Sequence, residues 1–68
     1  MNENTTYIDR MKEEQKQLQE RLSKLCGFML TEAFFKLSPG NRILLEQQCE
    51  AMKRYRDILD VRIEFAEK

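Results

Sequence analysis

The chain has 68 residues, of which 41% are hydrophobic and 35% are charged, with two glycines and one proline. Twelve Lys and Arg residues balance twelve Asp and Glu residues, and this zero net charge is poorly suited to nonspecific nucleic-acid binding. Histidine is absent, so composition excludes a Cys/His zinc finger, a histidine-containing catalytic triad and most histidine general-base chemistry. A domain this small usually depends on unusually good helix packing or on oligomerisation.

The first predicted element is a helix over residues 6–29, preceded by a frayed segment, residues 1–5. Thr5 or Thr6 can cap its start. Gly27 near its end indicates that the helix either thins out there or approaches a neighbour closely. Its core positions alternate steps of three and four, with Gln15 as a polar interruption, and so lie along one stripe: Ile8, Met11, Leu18, Leu22, Leu25 and Met29.

A short helix and a second long helix follow. Residues 31–37 are apolar and bounded by a turn signal, so we predict one or two helical turns that close a hairpin. Phe34, Phe35 and Leu37 in this segment cannot all face water. Ser38 is a good N-cap and Pro39 suits the first helical position, which predicts a long helix over residues 39–66.

The second long helix carries more apolar surface than one partner helix needs. Its predicted seam contains Leu45, Gln48, Met52, Tyr55, Leu59 and Arg62. Apolar residues also occupy both flanks: Leu44, Ala51, Ile58 and Phe65 on one side, and Cys49, Ile63 and Ala66 on the other. Exposed patches of this size are uncommon on monomers. We therefore predict an all-α antiparallel helical hairpin, a single domain over residues 1–68, assembled as a homo-oligomer through a core seam that includes Leu45, Met52, Leu59 and Ile63.

The cellular location is inferred from the lack of a membrane span and of a signal peptide in the sequence. No stretch approaches the length of an apolar membrane span, and the first residues do not resemble a signal peptide, so we expect a soluble cytoplasmic protein. In a reducing cytosol, Cys26 and Cys49 are expected to be small buried hydrophobic residues, with a disulfide between them as the less favoured alternative.

Enzyme chemistry finds little support in the sequence. The carboxylates are interleaved with Lys or Arg, which is typical of a solvated helix face. The glycine-rich phosphate loops and the nucleophile-elbow motif are absent, and Cys26 has no histidine to activate it. We expect no catalytic residues, no metal site and no cofactor.

Two groups of residues combine cations with aromatic rings. Residues 53–56 place three cations around Tyr55, which is the composition of a phosphate or base contact. The alternative is a solvated face of ion pairs four residues apart, namely Lys53–Asp57, Arg56–Asp60 and Glu50–Arg54. The second group forms only when the hairpin closes, because Tyr7 and Arg10 then come level with Arg62. That open end could hold a small anion between protomers.

One spaced string covers the second helix: Leu45-x-x-Gln48-x-x-Ala51-Met52-x-x-Tyr55-x-x-Ile58-Leu59-x-x-Arg62-Ile63, preceded by Leu37-Ser38 and, far upstream, by Tyr7-x-x-Arg10-Met11. In these residues the chain resembles a family of short helical proteins of bacteriophages and prophages, the group related to a small crAss-like phage protein. The resemblance covers most of the chain. It departs at Pro39-Gly40, where the family has acidic residues.

The hairpin is also similar, in architecture and size alone, to the hairpin domain of phage counter-defence sponges, which oligomerise and sequester cyclic nucleotide immune signals. That similarity implies a non-enzymatic phage-type protein in the host-cell cytoplasm, with a cyclic nucleotide or a cyclic ADP-ribose-type signal bound between protomers. The residues suited to bases and phosphates are Tyr7, Arg10, Arg54, Tyr55 and Arg62. The competing hypothesis is a small helical inhibitor or adaptor that acts by binding a host or phage protein.

Overall fold

The structure is a computed structural model that describes residues 3–68, with side chains described from residue 6 onward. Three helices follow in chain order: α1 (Glu3–Phe28), α2 (Glu32–Phe35) and α3 (Pro39–Glu67). The long helices α1 and α3 pack antiparallel, and α2 closes the turn between them. The predicted all-α hairpin is therefore confirmed. Over these residues, no helix is long and apolar enough to cross a membrane.

The bounds of α1 differ from the predicted ones. The helix begins at Glu3, so Thr5 and Thr6 lie inside its first turns and neither is the N-cap. The predicted frayed segment, residues 1–5, lies partly outside the described residues. At the other end, α1 stops at Phe28, one residue after Gly27. A Cβ atom on Gly27 would meet nothing within 4 Å, so this glycine marks the end of the helix and does not admit a close neighbour.

Side-chain caps define the turn between the long helices. The Thr31 hydroxyl donates to the carbonyl of Phe28 at 2.6 Å and accepts from the amide of Phe34, which makes Thr31 the N-cap of the four-residue helix α2. The Ser38 hydroxyl accepts from the amide of Asn41 and caps α3, as predicted. Helix α2 is shorter than residues 31–37 because Lys36 already forms its C-cap.

The core lies between the two long helices and under the turn. Its buried apolar residues are Met11, Leu18, Leu22, Phe34, Cys49, Leu59 and Ile63. Half-buried residues extend the same seam at Ile8, Leu25, Leu45 and Met52. Phe34 packs edge-to-face against Phe28, with ring centroids 6.2 Å apart, whereas Phe35 stays 62% exposed. One aromatic residue of the pair in α2 therefore serves the hairpin core.

Helix α3 is rotated relative to its predicted seam. Gln48, Tyr55 and Arg62 were predicted to lie on the seam, but all three are exposed. The buried positions Cys49 and Ile63, from a predicted flank, take their place. The physical reason is that burying an amide or a guanidinium without partners costs free energy, whereas burying a thiol and an isoleucine releases it.

The other apolar flank of α3 remains uncovered in the single chain. Leu44 is 63% exposed, Ile58 49% and Phe65 65%, and Ala51 between them is exposed as well. The hairpin thus leaves an apolar stripe along its longest dimension, which is 51 Å.

Candidate functional site

An aromatic–cation pair joins the two long helices at the open end of the hairpin. Arg62 near the end of α3 donates a hydrogen bond to the hydroxyl of Tyr7, and its guanidinium carbon lies 5.9 Å from the centroid of the Tyr7 ring. This hydrogen bond raises the pKa of the Arg62 guanidinium. Because Tyr7 remains 48% exposed, the pair presents a permanent cation and an aromatic face to incoming ligands.

A second cross-helix contact lies two turns further into the hairpin. The Tyr55 hydroxyl donates to the carboxylate of Glu14, and this bond, together with partial desolvation, raises the pKa of Tyr55. Glu14 follows Tyr7 by seven residues and Tyr55 precedes Arg62 by seven, so both contacts lie on the same side of the hairpin. Sequence reasoning missed Glu14; the shared seven-residue spacing is the signal that could have found it.

The remaining predicted ligand residues lie in different places. Arg10 is exposed and follows Tyr7 by three residues, so it shares the open end. Arg54 instead lines a shallow groove of about 420 Å³ on the outer surface of α3, together with Ile43, Glu46, Gln47, Glu50 and Ala51. The structure therefore groups Tyr7, Arg10 and Arg62 at one end and places Arg54 in a groove of its own.

A second shallow groove, of about 390 Å³, lies between α1 and α3 on the opposite side of the hairpin. Its lining residues are Gln15, Lys16, Gln19, Glu20, Arg56 and Asp60. Neither groove contains Tyr7 or Arg62. The Tyr7–Arg62 pair is therefore separate from these two grooves.

The comparison with protein families identifies the chain. Residues 5–65, almost its whole length, match the Sequestin family. The chain belongs to the Sequestin family. No curated protein and no solved structure matches it. Membership suggests that this Sequestin sequesters a signal molecule, and it implies a binding role and not a catalytic one.

The basic cluster of this Sequestin forms ion pairs other than the predicted ones. The Lys53 ammonium lies 3.7 Å from the Glu50 carboxylate, and the Arg56 guanidinium lies 3.3 Å from the Asp57 carboxylate. Asp60, the predicted partner of Arg56, instead accepts a hydrogen bond from the Gln15 amide across the hairpin. This hydrogen bond explains why the polar residue Gln15 interrupts the apolar stripe of α1. Exposed ion pairs of this kind add little stability.

The two cysteines meet inside the hairpin. Their sulfur atoms lie 3.6 Å apart, and both are free thiols, Cys49 buried and Cys26 half-buried. Burial raises the pKa of the Cys49 thiol, and the contact with Cys26 raises it further. A protonated, buried thiol is a poor nucleophile. Among the side chains that the structure describes, residues 6–68, no group of three or more His, Cys, Asp or Glu is placed to hold a metal ion.

Proposed function

We propose that this Sequestin is a non-enzymatic, phage-type counter-defence protein that binds a small nucleotide immune signal between protomers and withholds it from its receptor. Family membership supplies the general role of sequestration. The observation that carries the finer proposal is the Arg62 guanidinium held beside the exposed face of Tyr7. A guanidinium fork suits a phosphate and a tyrosine face suits a base, so the pair combines both recognition elements of a nucleotide.

The other ligand-binding residues extend this pair. Arg10, on the turn of α1 that follows Tyr7, adds a second cation at the open end. Tyr55 lies seven residues from Arg62, about 10 Å along α3, and offers a neutral hydroxyl and a second aromatic face. Arg54 stands on the outer surface of the same turn and contributes if the ligand reaches that far. Phosphates are expected at the arginines and bases at the tyrosines.

Sequestration between protomers is supported by the shape of the single hairpin. A molecule of 51 × 15 × 13 Å is two helices thick at most, and its Tyr7–Arg62 pair lies outside both shallow grooves. Ligand sites normally enclose most of a small ligand, which a convex helical surface does not. A second protomer would supply the missing wall, so the homo-oligomer is part of the proposal. Its place of action would be the cytoplasm of the infected cell.

The direct test is a thermal-shift and calorimetry screen of the purified protein. The ligands are cyclic dinucleotides, cyclic trinucleotides and cyclic ADP-ribose isomers. At a hundredfold excess over Kd, binding stabilises the fold by about 2.7 kcal/mol. For a domain of this size, that corresponds to a rise in Tm of roughly 10–20 °C. The recovered nucleotide should be chemically intact; a cleaved nucleotide would contradict a pure binding role.

Variants locate the site. Arg62→Ala and Arg10→Ala are expected to abolish the thermal shift while leaving the helix content unchanged, because both side chains are exposed. The control is Lys16→Ala, which removes an exposed cation from the groove on the opposite side of the hairpin and should bind like the parent. Equal loss of binding in all three variants would indicate nonspecific charge attraction and not a site at the open end.

The competing proposal, a small helical inhibitor or adaptor, is favoured by one feature of the turn. Leu30 is 85% exposed and Phe35 62%, so two large apolar side chains project from the closed end of the hairpin. Phenylalanine is enriched in the cores of protein interfaces, so Phe35 is the expected anchor. A flat nucleotide screen, combined with a host or phage protein that binds the parent but not Phe35→Glu, would support this alternative.

A further inference from the structure

A continuous apolar stripe runs along the exposed side of α3. Leu44, Ala51, Ile58 and Phe65 recur every seven residues, and the three large members are between 49% and 65% exposed. A coiled-coil seam has apolar residues at two positions of each heptad; the stripe fills one of them, and the second position holds Gln47, Arg54 and Val61. Helix α1 covers a different face of α3, so among the side chains that the structure describes no other helix packs on this stripe; the Lys68 ammonium lies 5.2 Å from the centroid of the Phe65 ring.

The two sides of the stripe differ in what lies beside them. The residue before Ala51, Ile58 and Phe65 is acidic in each case, which gives the row Glu50, Asp57 and Glu64 on one side. Arg54 lies among them, and Lys53 and Arg56 pair with Glu50 and Asp57 from the side away from the stripe. The charges nearest the stripe on this side are therefore the three carboxylates and Arg54. The residue after each stripe member is buried or half-buried against α1, at Leu45, Met52, Leu59 and Ala66. Helix α1 therefore borders the stripe on the side opposite the acidic row.

The α1 border of the stripe is basic. The contacts of Tyr7 with Arg62 and of Glu14 with Tyr55 place residues 7 and 14 along this border, and the same spacing puts Arg21 next. Arg21, Arg10 and Arg62 are all exposed. Glu14, whose carboxylate accepts from the Tyr55 hydroxyl, lies on the same border, so three cations stand there against one carboxylate. The stripe thus has an acidic row on one side and a basic border on the other.

We propose that the stripe is the interface for a second copy of this chain, and that the two α3 helices pack side by side in parallel about a two-fold axis along their length. In that orientation, the acidic row of each copy faces the basic border of the other. An antiparallel pair would place the two acidic rows against each other. Asp57 precedes Arg62 by five residues, which is the separation at which flanking charges pair between parallel helices. Charge therefore selects the parallel arrangement.

The length of the stripe and the position of the Tyr7–Arg62 pair are both compatible with a parallel dimer. The stripe runs from Leu44 to Phe65, about 32 Å along α3, which is a length over which two helices can pack side by side. Parallel packing brings the same ends together, so each Tyr7–Arg62 pair lies against the acidic row of the other copy beside Phe65. This consequence rests on the proposed function, because it makes each binding site from two copies; the interface itself does not.

Disulfide trapping tests the orientation. Ala51→Cys and Ile58→Cys are prepared as separate variants and oxidised with copper phenanthroline, and the products are resolved by mass spectrometry. Parallel packing brings each position to its own counterpart, so each variant forms a covalent dimer with itself, and a mixture of the two forms no mixed dimer. Mixed dimers alone would show antiparallel packing, and no covalent dimer in any sample would show that the stripe is not an interface; either result overturns the proposal. Glu20→Cys, an exposed position on α1, and the parent chain with its two internal cysteines are the controls.

Sedimentation tests the interface without oxidation. The parent is expected at twice the 8.2 kDa of one chain, and Ile58→Glu should raise the dimer Kd by at least about tenfold, because it places a carboxylate in the apolar stripe. Leu30→Glu changes an exposed leucine at the turn and should leave the Kd unchanged. Equal dimer Kd values for the parent and Ile58→Glu, measured over a dilution series, would refute the interface. A trapped parallel dimer that binds no nucleotide would refute the proposed function alone, whereas nucleotide binding by a monomer would refute the shared site.

Discussion

Truncation of Leu59 tests how much the hairpin core contributes to stability, independently of the exposed stripe. Leu59 has no exposed surface, and it lies where α3 packs on α1. Replacing a fully buried leucine with alanine removes its transfer free energy and leaves a cavity, which together destabilise by about 2–5 kcal/mol. A domain of this length has only about 3–10 kcal/mol of total stability. Leu59→Ala should therefore remove about a fifth or more of the free energy of unfolding and lower the Tm by at least about 8 °C.

The matched control is Leu44→Ala, the same chemical change at a side chain that is 63% exposed. In the monomer it should alter the free energy of unfolding by no more than about 0.5 kcal/mol. Thermal unfolding followed by circular dichroism at low and high protein concentration distinguishes the two sites. The loss from Leu59→Ala persists at low concentration, whereas any loss from Leu44→Ala appears only where dimers form. Equal destabilisation at low concentration would refute the assignment of α1 to the Leu59 side of α3.

Three further predictions concern the two cysteines, Tyr55 and Gly27. Hydrogen peroxide should oxidise the Cys26 and Cys49 thiols, 3.6 Å apart and 23 residues apart in sequence, to one internal disulfide with reduction of the peroxide to water. Intact-mass analysis should show the loss of two hydrogens in a monomer stabilised by about 3 kcal/mol, and dimers linked through these cysteines would contradict the contact. The pKa of Tyr55 is raised in the folded state, so the tyrosine of the unfolded chain loses its proton first as pH rises above about 10. The contribution of this tyrosine to the free energy of unfolding is therefore complete below that pH and is lost above it. Tyr55→Phe should flatten that alkaline loss in urea titrations, and an unchanged slope would rule out the Glu14 contact as its source. Gly27→Ala should raise the free energy of unfolding by up to about 1 kcal/mol, since a Cβ there meets nothing within 4 Å; a lower urea midpoint would show that the position requires glycine.

The sequence by itself determined the helices and their hairpin arrangement. The α1 stripe through Met11, Leu18 and Leu22 follows from one narrow set of apolar positions, and these three residues are buried as that pattern requires. Ser38 followed by Pro39 identified the start of α3, because capping depends on residues that are adjacent in the chain. Such local signals need no knowledge of what packs against the helix.

Only the tertiary structure decided which face of α3 meets α1. Apolar residues cover about half of that helix, so periodicity allowed a seam through Gln48 and Arg62 as well as one through Cys49 and Ile63. The two seams differ in the cost of desolvation. The seam through Cys49 and Ile63 leaves the Gln48 amide and the Arg62 guanidinium in water. That rotation also created the contact of Tyr7 with Arg62. A pairing between residues 55 positions apart depends on how two helices are turned about their axes, and no pattern within either helix specifies that rotation.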